Sequence, residues 1–381
     1  MSWSVKLGSL GGIVVRMHMT FVLLLVWIGT VLWANSGPAA AAEGIAFILL
    51  LFVCVVLHEL GHALAARRYG IATRDITLLP IGGVASLDRM PDDPGQEVVV
   101  ALAGPAVNVV IAGVLFLVVG GQFDPTGLAT FGMGLQSFVE RLATVNLVLA
   151  VFNLIPAFPM DGGRVLRALL GFRLPRAKAT QIAAQIGQGL AVLFAFLGLL
   201  GNPLLILIAI FIYFAASAES YSVSMREFAR GRSVEEAMIT RFEVLGLEAN
   251  LDDAAKLLLA TTQQEFPVVA TDDGLQGFLT RQALIDRLQA NDGRSDVASA
   301  IARDTPVVAP GAALDHVVKL LEPRSAPAVG VVDKDGRLVG YVTMENLAEF
   351  FMVRSAGGLE TARPKGLARD GFSDEAARPL V

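Results

Sequence analysis

The pattern of apolar and polar positions changes character near residue 225. Before it, apolar residues fall in long runs. After it, short apolar stretches alternate with charged and turn-forming residues. A helix that crosses a bilayer needs about 20 mostly apolar residues, and six segments of the first part meet that length: 17–34, 44–66, 98–121, 138–155, 179–200 and 203–222. Residues 3–17 alternate in the manner of strands, which is unlike the short basic start of a cleaved signal peptide. Residues 76–87, β-prone around Gly82 and Gly83, read either as a hairpin or re-entrant loop or as a plain turn. A hairpin there would offer an edge on which an extended peptide could pair.

The second part repeats itself with a gap-free period of 63 residues. Leu251 and Asp252 align with Leu314 and Asp315, Val268 and Val269 with Val331 and Val332, Thr280 with Thr343, and Leu284 with Leu347. Each unit reads helix, strand, turn, strand, helix, with Asp272-Asp273-Gly274 and Asp333-Lys334-Asp335-Gly336 as the turns. The expected fold class is therefore a polytopic α-helical membrane domain with a small β-hairpin or re-entrant region over residues 1–225. A soluble α+β module of two units follows over 226–353 (about 234–290 and 297–352). Residues 354–381, rich in Gly, Ala, Arg and Asp, have the composition of a disordered tail.

Charge orients the spans. Lys and Arg are missing from 35–43, 122–137 and 201–202, and gather at Arg67, Arg68, Arg74 and Arg89, then at Arg164, Arg167, Arg173, Arg176 and Lys178. This alternation predicts both termini in the cytoplasm, with a bacterial inner membrane as the expected location. Glu140 and Arg141 are the exception on the outer side. The composition agrees: 54% hydrophobic, 17% charged and a mean hydropathy of +0.61. A net charge of −5 gives no reason to expect a nucleic-acid partner. The one cysteine, Cys54, forms no intramolecular disulfide and reads as a packed thiol.

Two polar clusters interrupt the apolar runs, which is costly in lipid and marks function. The first is His58-Glu59-Leu60-Gly61-His62. On a helix, residues four apart share a face, so both imidazoles reach one ion while the intervening carboxylate can accept a proton from a water. A zinc site that does chemistry takes three protein ligands. The second cluster, 153–164, supplies a candidate: Pro156 and Pro159 break the helix, Gly162 and Gly163 allow close backbone approach, and Asp161 stands among them. On residue chemistry alone Asp161 fits a metal ligand or the N-cap of a following helix equally well. His18, at the start of the first span, reads as an interfacial histidine.

These residues resemble the site-2 protease family of intramembrane zinc metalloproteases. The matching pieces are His58 to His62, Gly82 and Gly83, Ala103-Gly104-Pro105 with Asn108, and Asn153 through Arg164, spanning about residues 10–225. The resemblance implies Asp161 as the third zinc ligand and Glu59 as the acid/base. It also implies a place near substrate or intermediate for Asn153, Gly82 and Gly83. It further implies a single-pass membrane protein as substrate, such as a membrane-tethered transcription factor or an anti-sigma factor, cleaved in or near its span. The rival reading is a non-catalytic metal-binding sensor or transporter, and no repeat within the membrane half supports a transporter.

The repeated half looks like a tandem pair of cystathionine-β-synthase-type (CBS) domains. That resemblance implies regulation, homodimer contacts and an adenine nucleotide held near Thr280 and Thr343. The family's ribose-binding Asp is replaced here by Ala283 and Asn346, which counts against the nucleotide.

Overall fold

The computed structural model describes residues 3–80, 82–88, 90–119, 135–271, 273–290, 293–321 and 326–356. Arg89, Asp272, nearly all of the expected 122–137 connection and the tail beyond 356 lie outside them. The chain forms two compact units, Met1–Val223 and Ser224–Val381.

In the first unit, strands β1 (Ser4–Leu10) and β2 (Ile13–His18) form a hairpin, and β3 (Thr73–Leu79) and β4 (Gly82–Leu87) form another. The two join through parallel pairing of β2 with β3, giving one sheet in the order β1-β2-β3-β4. The open alternative at residues 76–87 thus resolves to a hairpin.

Helix α1 (Met19–Arg67) connects β2 to β3. At 49 residues it is far longer than one crossing needs. Gly37 breaks it with a φ of 84°, a left-handed conformation that glycine adopts without steric cost, and Pro38 follows. The two arms fold back on each other. A Cβ on Gly29 would lie 2.9 Å from Ile45, one on Gly44 would run into Leu32, and the rings of Phe21 and Phe52 stand 4.2 Å apart. The expected spans 17–34 and 44–66 correspond to these arms.

Helices α2 (Pro94–Val119), α3 (Leu135–Asn153), α4 (Asp161–Gly171), α5 (Arg176–Gly201) and α6 (Pro203–Ala229) follow. Among the described residues, four helices are long and apolar enough to cross a membrane: α1, α2, α5 and α6. The expected count of about six is therefore met only as four long apolar helices, one of them folded in two. Near its start α3 carries Glu140 and Arg141. Arg141 pairs with Glu43 of α1 and lies 5.6 Å from the Phe47 ring centre, so this arginine has an acidic partner. Outward faces expose large apolar side chains such as Leu117, Leu199 and Phe214. The contacts inside use small residues, including Ala143, Ala183, Ala209 and Ala216. This is the reverse of a soluble protein and suits helices packed in lipid.

The second unit holds two similar modules. One has strands β5 (Leu245–Gly246), β6 (Glu265–Val269) and β7 (Leu275–Thr280) in the order β5-β6-β7, with helices α7 (Leu251–Ala260) and α8 (Arg281–Gln289). The other has β8 (Val307–Val308), β9 (Val329–Val332) and β10 (Leu338–Val342) in the order β10-β9-β8, with α9 (Leu314–Leu321) and α10 (Met344–Ser355). The residue pairs that the 63-residue period aligns are the cores: Leu251 and Leu314, Val268 and Val331, Leu284 and Leu347 are all buried. Phe278 and Tyr341, also one period apart, meet at 5.5 Å and join the two modules.

Candidate metal centre

The second arm of α1 carries His58 and His62 one turn apart on a single face. Their Nε2 atoms are 3.1 Å apart. Asp161, the first residue of α4, brings Oδ2 to 3.3 Å from His58 Nε2 and 3.1 Å from His62 Nε2. All three side chains are buried, and among the described residues they are the one His/Cys/Asp/Glu group placed to hold a metal ion. A tetrahedral zinc ion with bonds of about 2.0–2.1 Å has ligand–ligand edges of about 3.3–3.4 Å. The observed triangle is within a few tenths of an ångström of that figure, and the donor set is one that zinc favours.

The imidazoles pack directly against a glycine. Gly104 of α2 faces the triangle, and a Cβ there would lie 2.2 Å from His62 Nε2 and 2.7 Å from His58 Nε2. The ring nitrogens are also oriented from behind. His62 Nδ1 lies 2.7 Å from the Val100 carbonyl. A carbonyl only accepts, so Nδ1 carries the proton and the Nε2 lone pair faces the triangle. His58 Nδ1 likewise donates to Asn108 Oδ1. The amide of Asn108 donates to Asn146 Oδ1 at 2.9 Å, and Asn146 donates to the Leu142 carbonyl at 2.8 Å. Hydrogen bonds of this kind fix the tautomer and raise ligand basicity.

Asp161 does not cap α4. The N-cap is Met160, which makes no side-chain capping bond, so the carboxylate is free to point at the histidines. A Cβ on Gly162 would collide with the Leu154 and Ile155 carbonyls, so the loop after α3 folds tightly under the start of α4. Arg164 stands 3.7 Å from the other oxygen, Oδ1.

Glu59 follows His58 on α1 and meets β4. A Cβ on Gly83 would lie 2.8 Å from Glu59 Cγ and 3.3 Å from its Oε1. The strand edge and the acid/base candidate are thus neighbours. Gly82 opens the strand with a φ of 137° and pairs with Leu79.

Other candidates fall elsewhere. Asn153 ends α3, half-buried, and its side chain makes no hydrogen bond among the described residues. His18 caps α1, with Nδ1 2.8 Å from Thr20 Oγ1. Cys54 is buried and outside the metal group. Thr280 and Thr343 are N-caps of α8 and α10, their oxygens accepting from the Ala283 and Asn346 amides. Only Thr343 lines the cavity of about 530 Å³ in the second unit, alongside Arg241, Glu243, Glu265, Glu345 and Asn346.

Two contributors escaped the sequence reading. Asn146 is a polar residue inside an apolar run, a signal that could have found it. The Val100 carbonyl leaves no mark in the sequence.

Buried imidazoles and a carboxylate within packed apolar helices, with a glutamate alongside, define a metalloprotease built into a membrane. Comparison with known proteins agrees. Residues 46–124 and 121–194 match peptidase family M50, and 234–290 and 296–353 match the CBS domain. A zinc metalloprotease of Methanocaldococcus jannaschii is 38% identical over 271 residues, covering 71% of this chain and 76% of that one. Stage IV sporulation protein FB of Bacillus subtilis is 28% identical over 162 residues, 42% of this chain and 53% of that one. The solved site-2 protease from Methanocaldococcus jannaschii aligns with a TM-score of 0.43 at 42% identity, over 57% of this chain and 95% of that one. The chain belongs to peptidase family M50, the site-2 proteases, and is an intramembrane zinc protease with a C-terminal CBS pair.

Proposed function

We propose that His58, His62 and Asp161 hold the zinc ion and that Glu59 is the acid/base of peptide hydrolysis. The supporting observation is the 3.1–3.3 Å triangle of ligand atoms, with both imidazoles packed against Gly104 where no side chain intervenes. When bound, zinc supplies a Lewis acid that eases proton loss from water near neutral pH and polarises a carbonyl. The chain does the rest. Asn108 and the Val100 carbonyl hold the imidazoles in one tautomer. Glu59 takes the proton of the attacking water and returns it to the leaving amine. Asn153 donates to the substrate backbone or the developing oxyanion.

The substrate is a single-pass membrane protein, a membrane-tethered transcription factor or an anti-sigma factor, cleaved in or near its span. Peptide bonds in a helix are shielded, so the segment is cut in extended form. The edge of β4 next to Glu59, which pairs only with β3 among the described residues, suits strand addition by such a segment. Six crossings follow if each arm of α1 and α3 crosses once, and the basic loops then put both termini in the cytoplasm of a bacterial inner membrane. Residues 1–225 form the protease and 226–353 the CBS pair, which regulates it and contributes dimer contacts. The nucleotide reading is weak, because the acidic cavity offers little to a phosphate.

The test is zinc content and cleavage of a tagged single-pass substrate in detergent. About one zinc per chain is expected in wild type and in Glu59→Gln, with cleavage lost in the latter; His58→Ala and Asp161→Ala should lose both. Zinc retained in Asp161→Ala, or cleavage retained in Glu59→Gln, would sink the assignment.

A further inference from the structure

Arg167 is the largest fully buried side chain among the described residues, and no step of the chemistry uses it. It lies on α4, six residues after Asp161 and roughly 9 Å further along the helix. Its guanidinium forks onto Glu97 of α2: Nε donates to Oε1 at 2.8 Å and Nη2 to the same oxygen. Nη1 donates to Glu219 of α6 at 2.6 Å, and the cation sits 5.2 Å from the Phe158 ring centre, in the loop leading to Asp161. Arg176, at the start of α5, donates to the Pro91 carbonyl at 2.7 Å and lies 3.9 Å from the other Glu97 oxygen. Four helices therefore meet at one buried pair.

The placement of Glu97 gives this pair a meaning beyond stability. Glu97 shares α2 with the three features that arrange the histidine half of the centre: the Val100 carbonyl, Gly104 and Asn108. Arg167 shares α4 with the carboxylate half. Asp161 lies 99 residues after His62 and follows a loop that contains Pro156 and Pro159. Among the described residues, the fork between Glu97 and Arg167 is a buried ion pair that ties α2 to α4. A planar guanidinium held at two or more of its nitrogens sets distance and rotation together, which an ammonium does not. Water-excluded surroundings make loss of the tie costly and its geometry stiff.

We propose that Arg167 and Glu97 are positioning residues for the metal centre. They act as a strut that sets the gap between Asp161 and the two histidines, and hence the affinity and geometry of the metal site. This rests on the ligand assignment above.

The test uses charge-conserving variants of the full chain in detergent. Arg167→Lys loses the fork, and Glu97→Asp shortens the tie by one methylene while keeping the buried pair. Zinc affinity is read by chelator competition, ligand geometry by the visible absorption of the cobalt(II) form, and stability by the melting temperature of the metal-free protein. Each variant is expected to bind zinc about 10–100-fold more weakly, the range for second-sphere partners, with a changed cobalt spectrum. Glu219→Gln, which neutralises the partner on the more exposed side, should change affinity much less. Unchanged zinc affinity and an unchanged cobalt spectrum in the folded fraction of either variant would overturn the strut, whatever happens to melting. Asp161→Ala, run in parallel, separates the two failures: retained zinc there removes the ligand assignment, whereas lost zinc there with normal Arg167→Lys removes only the strut.

Discussion

At the scale of single residues, the centre depends on atoms that are missing as much as on those present. Gly104 contributes no group to a metal, yet a methyl at that position would stand 2.2 Å from His62 Nε2, far inside van der Waals contact. The nearest atoms belong to rings tied behind by Val100 and Asn108, so they cannot yield without breaking those bonds. Gly104→Ala should therefore fold and still lose its zinc, from about one per chain to near zero by metal analysis. Full zinc occupancy in that variant would mean the ion sits elsewhere. The meeting of His58 and His62 was legible because a four-residue spacing on a helix has one geometric consequence. Asp161 was only half legible. Its residue type and neighbours fitted a helix cap as well, and the choice turned on Met160 taking the cap position, a backbone fact without a sequence signal. Arg167 was misleading for a different reason. Read along the chain it counted as one more basic loop residue, whereas the fold buries it against a glutamate 70 residues away.

At the scale of elements, local pattern did well and pairing did not. The alternation of 3–17 and the β-prone 76–87 both emerged as hairpins. Their union into one sheet was invisible, since β2 and β3 are separated by 49 helical residues and meet only because α1 doubles back at Gly37. The 63-residue period predicted the buried pairs of the CBS modules because a repeat must reproduce its core. It did not predict the acidic surroundings of β6. There Glu265 is held above the ordinary carboxylate range by burial, with Glu345 adding to the effect. Burial also pushes the Tyr341 phenol of β10 up to about 12, with Glu265 adding. Both shifts favour the protonated form in the folded state. Each contribution to stability is complete below the unfolded value, 4.5 for Glu265 and 10.0 for Tyr341, and is lost as pH rises through the raised folded value. Glu265→Gln should thus stabilise the second unit at neutral pH, by up to about 1 kcal/mol once solvent screening of a half-buried group is counted. The gain should shrink as pH falls through the raised Glu265 value and vanish below 4.5. Calorimetric melting of wild type and variant across that range checks it, and an equal gain at every pH would remove the electrostatic cause.

At the scale of the whole molecule, one element belongs to both units. Helix α6 begins at Pro203 within the apolar half and continues without a break to Ala229, past the boundary at Val223. Its last turns are part of the second CBS module: Ala229 is buried with Leu314 and Leu347, and the Phe228 ring meets Phe350 and Phe351 at 5.3 and 5.2 Å. The same helix carries Glu219, which is hydrogen-bonded to Arg167. An α-helix can carry rotation and displacement along its axis, whereas a Gly/Ser segment absorbs them. The proposed regulation of the protease by its CBS pair makes two separate demands. Removal of everything after Met225 should change cleavage rate or substrate choice. A short Gly/Ser insertion after Val223, which keeps the CBS pair attached, should produce the same change if the effect travels through the helix. Cleavage of a tagged substrate by the three proteins, compared as kcat/KM, decides among the outcomes. A truncation effect without an insertion effect would mean that the pair works by its presence, as a dimer contact or a barrier to substrate. Identical rates and products in all three would remove the regulatory role altogether.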